Sequence, residues 1–421
     1  MLSIASSIAE QLQHLQSSAK TDRVLVQQVA SGLAEGSYDE KWPIQLVELM
    51  NASHNAMRLA VSPNELDARR EIYTICCILR GILLFNSLHY LEAISTLDHA
   101  IIIAGAPGRL DIVLHIIREI QSNLLHESLL KTVNLSVRPS DHAPKAMVDT
   151  VPSISPPSFL SFQSKFSKSP FVLRNYAHDW PAMQGRPWRS VAYLRSVAGP
   201  GRVVPVEIGH DYRSETWKQK IMPWDDFLST LDFEDQPVSD PAGDMLYLAQ
   251  HDLTAQFPSL RDDINVPDYV YASLTSSEYL KYRQPLNDDN ILFNTWLGPE
   301  GTMSPAHTLD IELNQPLVQV VGHKSIWLAP PSASPFMYPI SDTTERHRNV
   351  DLNEDQLMGN TSKVDVFADA SDYSNFPDFK EKVVPISMTA RLGPGDVLFF
   401  PPGWWHAMRS ETTSFSFSMW F

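Results

Sequence analysis

The chain has 421 residues, enough for two domains with large buried cores. Its 33 Lys and Arg against 49 Asp and Glu leave a formal charge of −16, which excludes a surface generally suited to direct nucleic-acid binding or to anionic membranes. The only two cysteines, Cys76 and Cys77, are adjacent inside an apolar run; they exclude a disulfide framework and read as buried thiols in a reducing compartment.

The N-terminal run MLSIASSIAEQLQHLQ has neither a basic leader nor an unbroken apolar block, so no secretory signal is expected. The expected location is intracellular, in the nucleus and/or the cytoplasm. The most membrane-like stretch, Ile72 to Phe85, is interrupted by Arg80 and falls short of the roughly twenty apolar residues a bilayer needs. It reads as a buried helix.

Residues 1–130 repeat apolar positions at helical spacing, as in WPIQLVELMNASHNAMRLAV, ELDARREIYTICCILRGILLF and RLDIVLHIIREIQSNLL. With Gly and Pro between them, they predict an antiparallel array of about six helices, a docking or scaffold domain loosely like tetratricopeptide arrays. Residues 131–158 change to Pro, Ser and polar residues without periodicity and read as a linker, able to run extended along the next domain.

From residue 159 to residue 421 the texture is of short β-rich runs between Gly, Pro and Asp turns: SPFVLRNY, RVVPVEIG, DMLYLAQ, DYVYASL, NILFNTWL, PLVQVVG, KSIWLAPP, DVLFFPP and TSFSFSMWF. The predicted class is α+β, an all-α array followed by a double-stranded β-helix barrel of the jelly-roll or cupin type, with flanking helices such as PWRSVAYLRSVAG and PWDDFLSTL. A polar, acidic insert at about 332–387 is long for a barrel loop, and its acids either attract a basic protein segment or simply face water.

No nucleophile elbow, phosphate-binding loop or dinucleotide fingerprint is present, so the chemistry points to a metal. His307 stands on one predicted strand and His406 at the end of another, each beside a Pro/Gly turn. Two histidines and a carboxylate at a barrel mouth form the facial triad that holds Fe(II) and leaves positions open. Lys324 lies in the otherwise apolar VGHKSIWL. It is either a buried cation able to hold the far carboxylate of 2-oxoglutarate or an edge-strand lysine facing water.

From about Ser169 onward the chain resembles the JmjC (jumonji C) 2-oxoglutarate oxygenases, in the branch of arginyl hydroxylases also described as lysine demethylases. The matching text is SPFVLRNYAHDWPAM, VVPVEIGHDY, YLAQHDL, INVPDY, FNTWLGPEGTMSPAH, LVQVVGHKSIWL, NTSKVD and GDVLFFPPGWWHAM. The resemblance implies that His307 and His406 bind iron, that Lys324, Tyr247 and Ser304 hold 2-oxoglutarate, and that Asn294 and Trp296 line the pocket. For Tyr247, Asn294 and Trp296 the alternative is packing in the barrel core.

The third ligand departs from the family's H-x-D pattern, in which residues i and i+2 of a strand share a face. Leu309 stands where the acid belongs, Asp310 follows one residue later, and TLDIELNQP is longer than the family's segment by about two residues. Counting back from Leu317 puts Ile311 at the acid and Gln315 at a pocket asparagine. A β-bulge is the device that would re-aim Asp310 and complete a triad of His307, Asp310 and His406. The alternatives are a barrel that kept its fold without iron chemistry and a local anomaly in the sequence.

Two function classes follow. One is an iron- and 2-oxoglutarate-dependent dioxygenase, using molecular oxygen to hydroxylate arginine or to demethylate N-methyl-lysine in a basic protein or peptide. The other is a catalytically silent JmjC scaffold that binds partners.

Overall fold

The structure is a computed structural model. It describes residues 2–14, 20–127, 149–209, 213, 217–236, 244–272, 285, 290–308, 313–340, 359–369 and 372–421. The chain divides into two compact units: one of residues 1–134, 198–204 and 221–225, the other of residues 135–197, 205–220 and 226–421.

The first unit contains α1 (Leu2–His14), α2 (Lys20–Ala34), α3 (Trp42–Arg58), α4 (Pro63–Asn86), α5 (Tyr90–Ala104) and α6 (Leu110–Glu127). The start of α4 follows from its sequence: Ser62 accepts from the Glu65 amide, Glu65 reaches back to the Val61 amide, and Pro63 occupies the first turn. Eleven residues of α4 are buried, among them Cys76 and Cys77, whose thiols are free and pushed up in pKa chiefly by burial. They pack with Ile94, Leu97, Ile116 and Ile120 into one core. Asp98, fully buried on α5, accepts three bonds of 2.7–3.1 Å from the Arg202 guanidinium and a fourth, of 2.9 Å, from the Val203 amide. The charge pair is thus compensated by geometry. No helix among the described residues is long and apolar enough to cross a membrane.

The described strands form two sheets, most of whose residues belong to the second unit. With β1 (Phe171–Leu173), β2 (Val203–Ile208), β3 (Lys218–Pro223), β4 (Leu246–His251), β5 (Leu292–Gly298), β6 (Met303–His307), β7 (Leu317–Val321), β8 (Lys324–Ala329), β9 (Met388–Leu392), β10 (Val397–Phe399), β11 (Trp405–Ser410) and β12 (Ser414–Trp420), the described strands run in the orders β1-β10-β7-β12-β5-β4-β2-β3 and β6-β11-β8-β9. The pairs within the barrel are antiparallel. The chain passes from the large sheet to the small one at Gly322, whose φ of +71° and close approach to the Thr413 carbonyl exclude a side chain.

Residues opposite each other on antiparallel strands share a face, and the small sheet sorts accordingly. Ile326, Leu328, Ala390 and Leu392 point inward to meet Val172, Leu317, Leu398 and Phe400. Trp327, Ala329, Trp405 and Ala407 point outward under Val364, Tyr373 and Phe379. On the far side of the large sheet, Trp188 packs on Phe415 at 4.6 Å. The proline-rich run is extended where it is described: Thr150 donates to the Thr389 carbonyl and Ile154 to that of Val172. DYVYASL, read as a strand, instead forms a 3-10 turn at Asp268–Tyr271. Pro267 directs the chain into it, and Tyr269 is pinned by a 2.6 Å bond from its hydroxyl to the Pro157 carbonyl.

Candidate active site

His307 and His406 lie directly opposite each other on β6 and β11, with ring centroids 4.2 Å apart. Each donates from Nδ1 to the backbone carbonyl two residues earlier, His307 to Pro305 at 2.8 Å and His406 to Trp404 at 3.1 Å. That fixes the tautomer and leaves Nε2 as a free lone pair on each ring. Burial lowers the pKa of both, and the neighbouring His307 lowers His406 further, so both are neutral at physiological pH.

β6 is held on its other edge by the NTSKVD segment. The Ser362 amide donates to the Ala306 carbonyl, the Thr308 amide to that of Asn360, and Asn360 Nδ2 to that of Thr308. The next four residues, 309–312, lie outside the described residues, and with them Leu309, Asp310 and Ile311. Among the described residues no group of three His, Cys, Asp or Glu is placed to hold a metal.

Lys324 opens β8 on the inward face, opposite Ser410. It is 1% exposed, and burial pulls its pKa from 10.5 to about 7. It makes no ion pair with any described residue, and its Nζ stands 5.9 Å from the centroid of the Tyr247 ring. Tyr247, on β4 of the opposite sheet, hydrogen-bonds Ser304 of β6, and its own burial raises its pKa. Lys324, Tyr247 and Ser304 therefore meet across the barrel.

Trp296 reaches the interior cluster from β5, 6.3 Å from Trp420 of β12, and Asn294, two residues earlier on the same face, is half-buried opposite Ser418. Ser418 Oγ and Trp420 Nε1, both on this inward face, are buried without a hydrogen-bond partner among the described residues. The Leu317–Ser418 register continues through the paired backbones of Asn314 and Phe421, which sets Gln315 opposite Trp420. Gln315 thus shares the inward face, as counting back from Leu317 predicts.

Glu207 was missed by sequence reasoning. It sits opposite Tyr247 on β2, and its carboxyl is raised in pKa by burial. The alternation of VVPVEIG separates Glu207 from Val204 and Val206, but only the β2–β4 pairing tells which side chains it meets.

Two neutral imidazoles whose Nε2 atoms meet no described partner fit a metal ion, and a buried ammonium without a counter-ion among the described residues fits a carboxylate. The described residues thus suit iron and 2-oxoglutarate at every point except the acid, which falls in 309–312.

Residues 160–421 match the Cupin-like domain family. The chain belongs to the cupin-like domain family. The chain is 38% identical over 273 residues to Lysine-specific demethylase 8 of Danio rerio, covering 64% of this chain and 58% of that protein. It is 37% identical over 275 residues to Jumonji C domain-containing protein 5 of Drosophila melanogaster, covering 64% and 59%. A plant relative, Lysine-specific demethylase JMJ30 of Arabidopsis thaliana, is 35% identical over 252 residues, covering 60% and 49%. The chain therefore spans about three fifths or less of the length of these relatives. The cupin-like fold and the JmjC resemblance read from the motifs agree with these matches.

Proposed function

We propose that the chain is an Fe(II)- and 2-oxoglutarate-dependent oxygenase that hydroxylates a side chain of a basic protein segment, with arginine as the residue its pocket suits best. The observation that carries this reading is the pairing of half-buried His307 and buried His406 as neutral imidazoles whose Nε2 atoms meet no described partner. Lys324, a buried ammonium without a counter-ion among the described residues, supports it.

In this reading His307, His406 and Asp310 hold the iron. When bound, iron and 2-oxoglutarate supply, with molecular oxygen, the oxidant that hydroxylates a C–H bond while the 2-oxo acid becomes succinate and carbon dioxide. Lys324 pairs with the far carboxylate of the cosubstrate, and the Tyr247 and Ser304 hydroxyls donate to it. Trp296 and Trp420 wall the pocket against water, and Asn294 and Gln315 supply amides at its edge.

Glu207 holds the cationic side chain of the substrate. Burial disfavours its charged form, an arriving guanidinium offsets that cost, and a guanidinium matches a carboxylate with two parallel bonds. The same hydroxylation at an N-methyl group of lysine would release formaldehyde and end as a demethylation, the activity in the names of the Danio rerio and Arabidopsis thaliana relatives. The helical unit serves for docking, and the nucleus or the cytoplasm is the place of action.

A second reading, a binding protein without iron chemistry, is favoured by one feature, Leu309 at the position of the family's acid. Incubation with Fe(II), ascorbate, 2-oxoglutarate and arginine-containing peptides separates the two. The oxygenase reading expects a peptide that gains one oxygen atom in step with succinate, both lost in His406→Ala. Neither product from the unmodified protein would leave the binding-protein reading.

A further inference from the structure

A cavity of about 450 Å³ opens on the second unit between the end of the proline-rich run at Pro157–Phe159, the loop after β1 and the turn at residues 265–269. None of the residues assigned to iron, cosubstrate or substrate lines it. Its walls are aromatic. Tyr176 and Tyr269 stand with ring centroids 6.4 Å apart, tilted by 36°, and Trp180 lies beside them. Its rim is acidic: Asp179 and Asp268 are both exposed, Asp268 makes no ion pair with a described residue, and Asp179 meets only the exposed His178.

The walls are fixed before any ligand arrives. Tyr269 donates to the Pro157 carbonyl at 2.6 Å and packs on Phe162 at 4.8 Å. The Tyr176 loop is tied down on both sides, since the Asn175 amide donates to Asp396 and the Ala177 amide to the Gly395 carbonyl, each at 2.9 Å. Burial first, and the charge of Asp268 second, raise the Tyr176 pKa, so that carboxylate is felt inside the cleft.

We propose that this cleft binds an arginine side chain of a basic peptide segment, with the guanidinium over the phenol faces and its N–H groups toward Asp268 and Asp179. Aromatic faces attract a cation placed above them, and carboxylates at the rim supply the hydrogen-bond acceptors. An anion would be repelled by the rim, and a purely apolar group would leave both carboxylates unanswered. Guanidinium fits better than ammonium because it is planar, stacks on rings and forks onto carboxylates. A net charge of −16 draws basic segments to the surface that carries the cleft. The proposal goes beyond the oxygenase reading and holds whether or not the barrel carries iron.

The test is fluorescence anisotropy of the full chain with a fluorescein-labelled Gly-Arg-Gly-Arg-Gly peptide at low salt, compared with the same peptide carrying citrulline, the neutral isostere of arginine. The arginine peptide is expected to bind saturably, and the citrulline peptide at least about tenfold more weakly. Asp268→Asn, an exposed change that leaves packing alone, should weaken binding about fivefold, and Tyr176→Leu as much, whereas Tyr176→Phe keeps the ring face and most of the affinity. Glu381→Gln, an exposed acid outside both the cleft and the barrel pocket, should leave it within about twofold. Equal affinity for both peptides, unchanged affinity in Asp268→Asn, or an equal loss in Glu381→Gln would overturn the proposal.

Discussion

Replacing Lys324 with methionine should make the protein without cosubstrate more stable. The Lys324 side chain is fully buried and its charge meets no counter-ion among the described residues, so its pKa falls from 10.5 to about 7. At about 1.4 kcal/mol per pKa step, that fall corresponds to roughly 5 kcal/mol spent holding a proton in an apolar site. A lysine whose folded pKa is depressed binds fewer protons folded than unfolded between pH 7 and pH 10.5. Stability therefore rises with pH across that window, and below about pH 7 the cost is constant and complete. Lys324→Met keeps most of the length, removes the charge, and should gain about 2–5 kcal/mol at pH 6. At roughly 2–4 °C per kcal/mol for a barrel of this size, the melting point should rise by about 5–15 °C. The gain should shrink at pH 9–10, where the wild-type lysine is already neutral when folded (pKa of about 7). Thermal melts of both proteins at the two pH values read this directly, and 2-oxoglutarate should raise the melting point of the wild type and not of Lys324→Met. A loss of several degrees in the mutant at pH 6, or the same pH slope in both proteins, would refute the reasoning.

Asp98→Ala should cost the helical unit about 3–5 kcal/mol in urea unfolding, because it removes three charge-assisted bonds from the buried Arg202 guanidinium, and Asp98→Leu with Arg202→Met should return most of the loss. Gly298→Ala would set a methyl 2.6 Å from Tyr247 Cδ2 and 2.9 Å from Thr302 Cγ2. It should push the Tyr247 ring aside and weaken 2-oxoglutarate binding about tenfold by calorimetry, an expectation that an unchanged affinity would sink. Removing residues 414–421 takes out β12, which is buried along its whole length and paired with both β5 and β7. The barrel should lose its cooperative melt and its near-ultraviolet dichroism, and a truncated protein that melts like the parent would contradict its place in the core.

Periodicity carried much of this architecture. The six described helices of the first unit stand where apolar residues recur every three or four positions, and alternation in TSFSFSMWF marks a strand. The one clear misreading, DYVYASL, has strand composition, but its geometry is set by Pro267 and by a tyrosine anchored to a residue far away in sequence. The site was legible in its parts and not in its assembly. His307, His406 and Lys324 stood out by type and flanking residues, yet nothing in their spacing says that the histidines pair across β6 and β11. Nor does it say that both Nδ1 atoms turn to the backbone, or that Lys324 meets Tyr247 from the opposite sheet. Glu207 escaped notice because a lone acid after three valines looks like a solvated edge until β4 covers it. These are pairings between distant segments, and a local pattern holds no record of them.

The most direct test of the account is an anaerobic titration of the purified protein with Fe(II) in the presence of 2-oxoglutarate, followed by the visible charge-transfer band of the iron-chelated cosubstrate. The expected band saturates at one iron per chain, disappears in His307→Ala and His406→Ala, and is lost in Asp310→Ala as the third ligand. No band from the unmodified protein at any iron concentration would contradict the central claim and leave a JmjC fold that binds without oxidising.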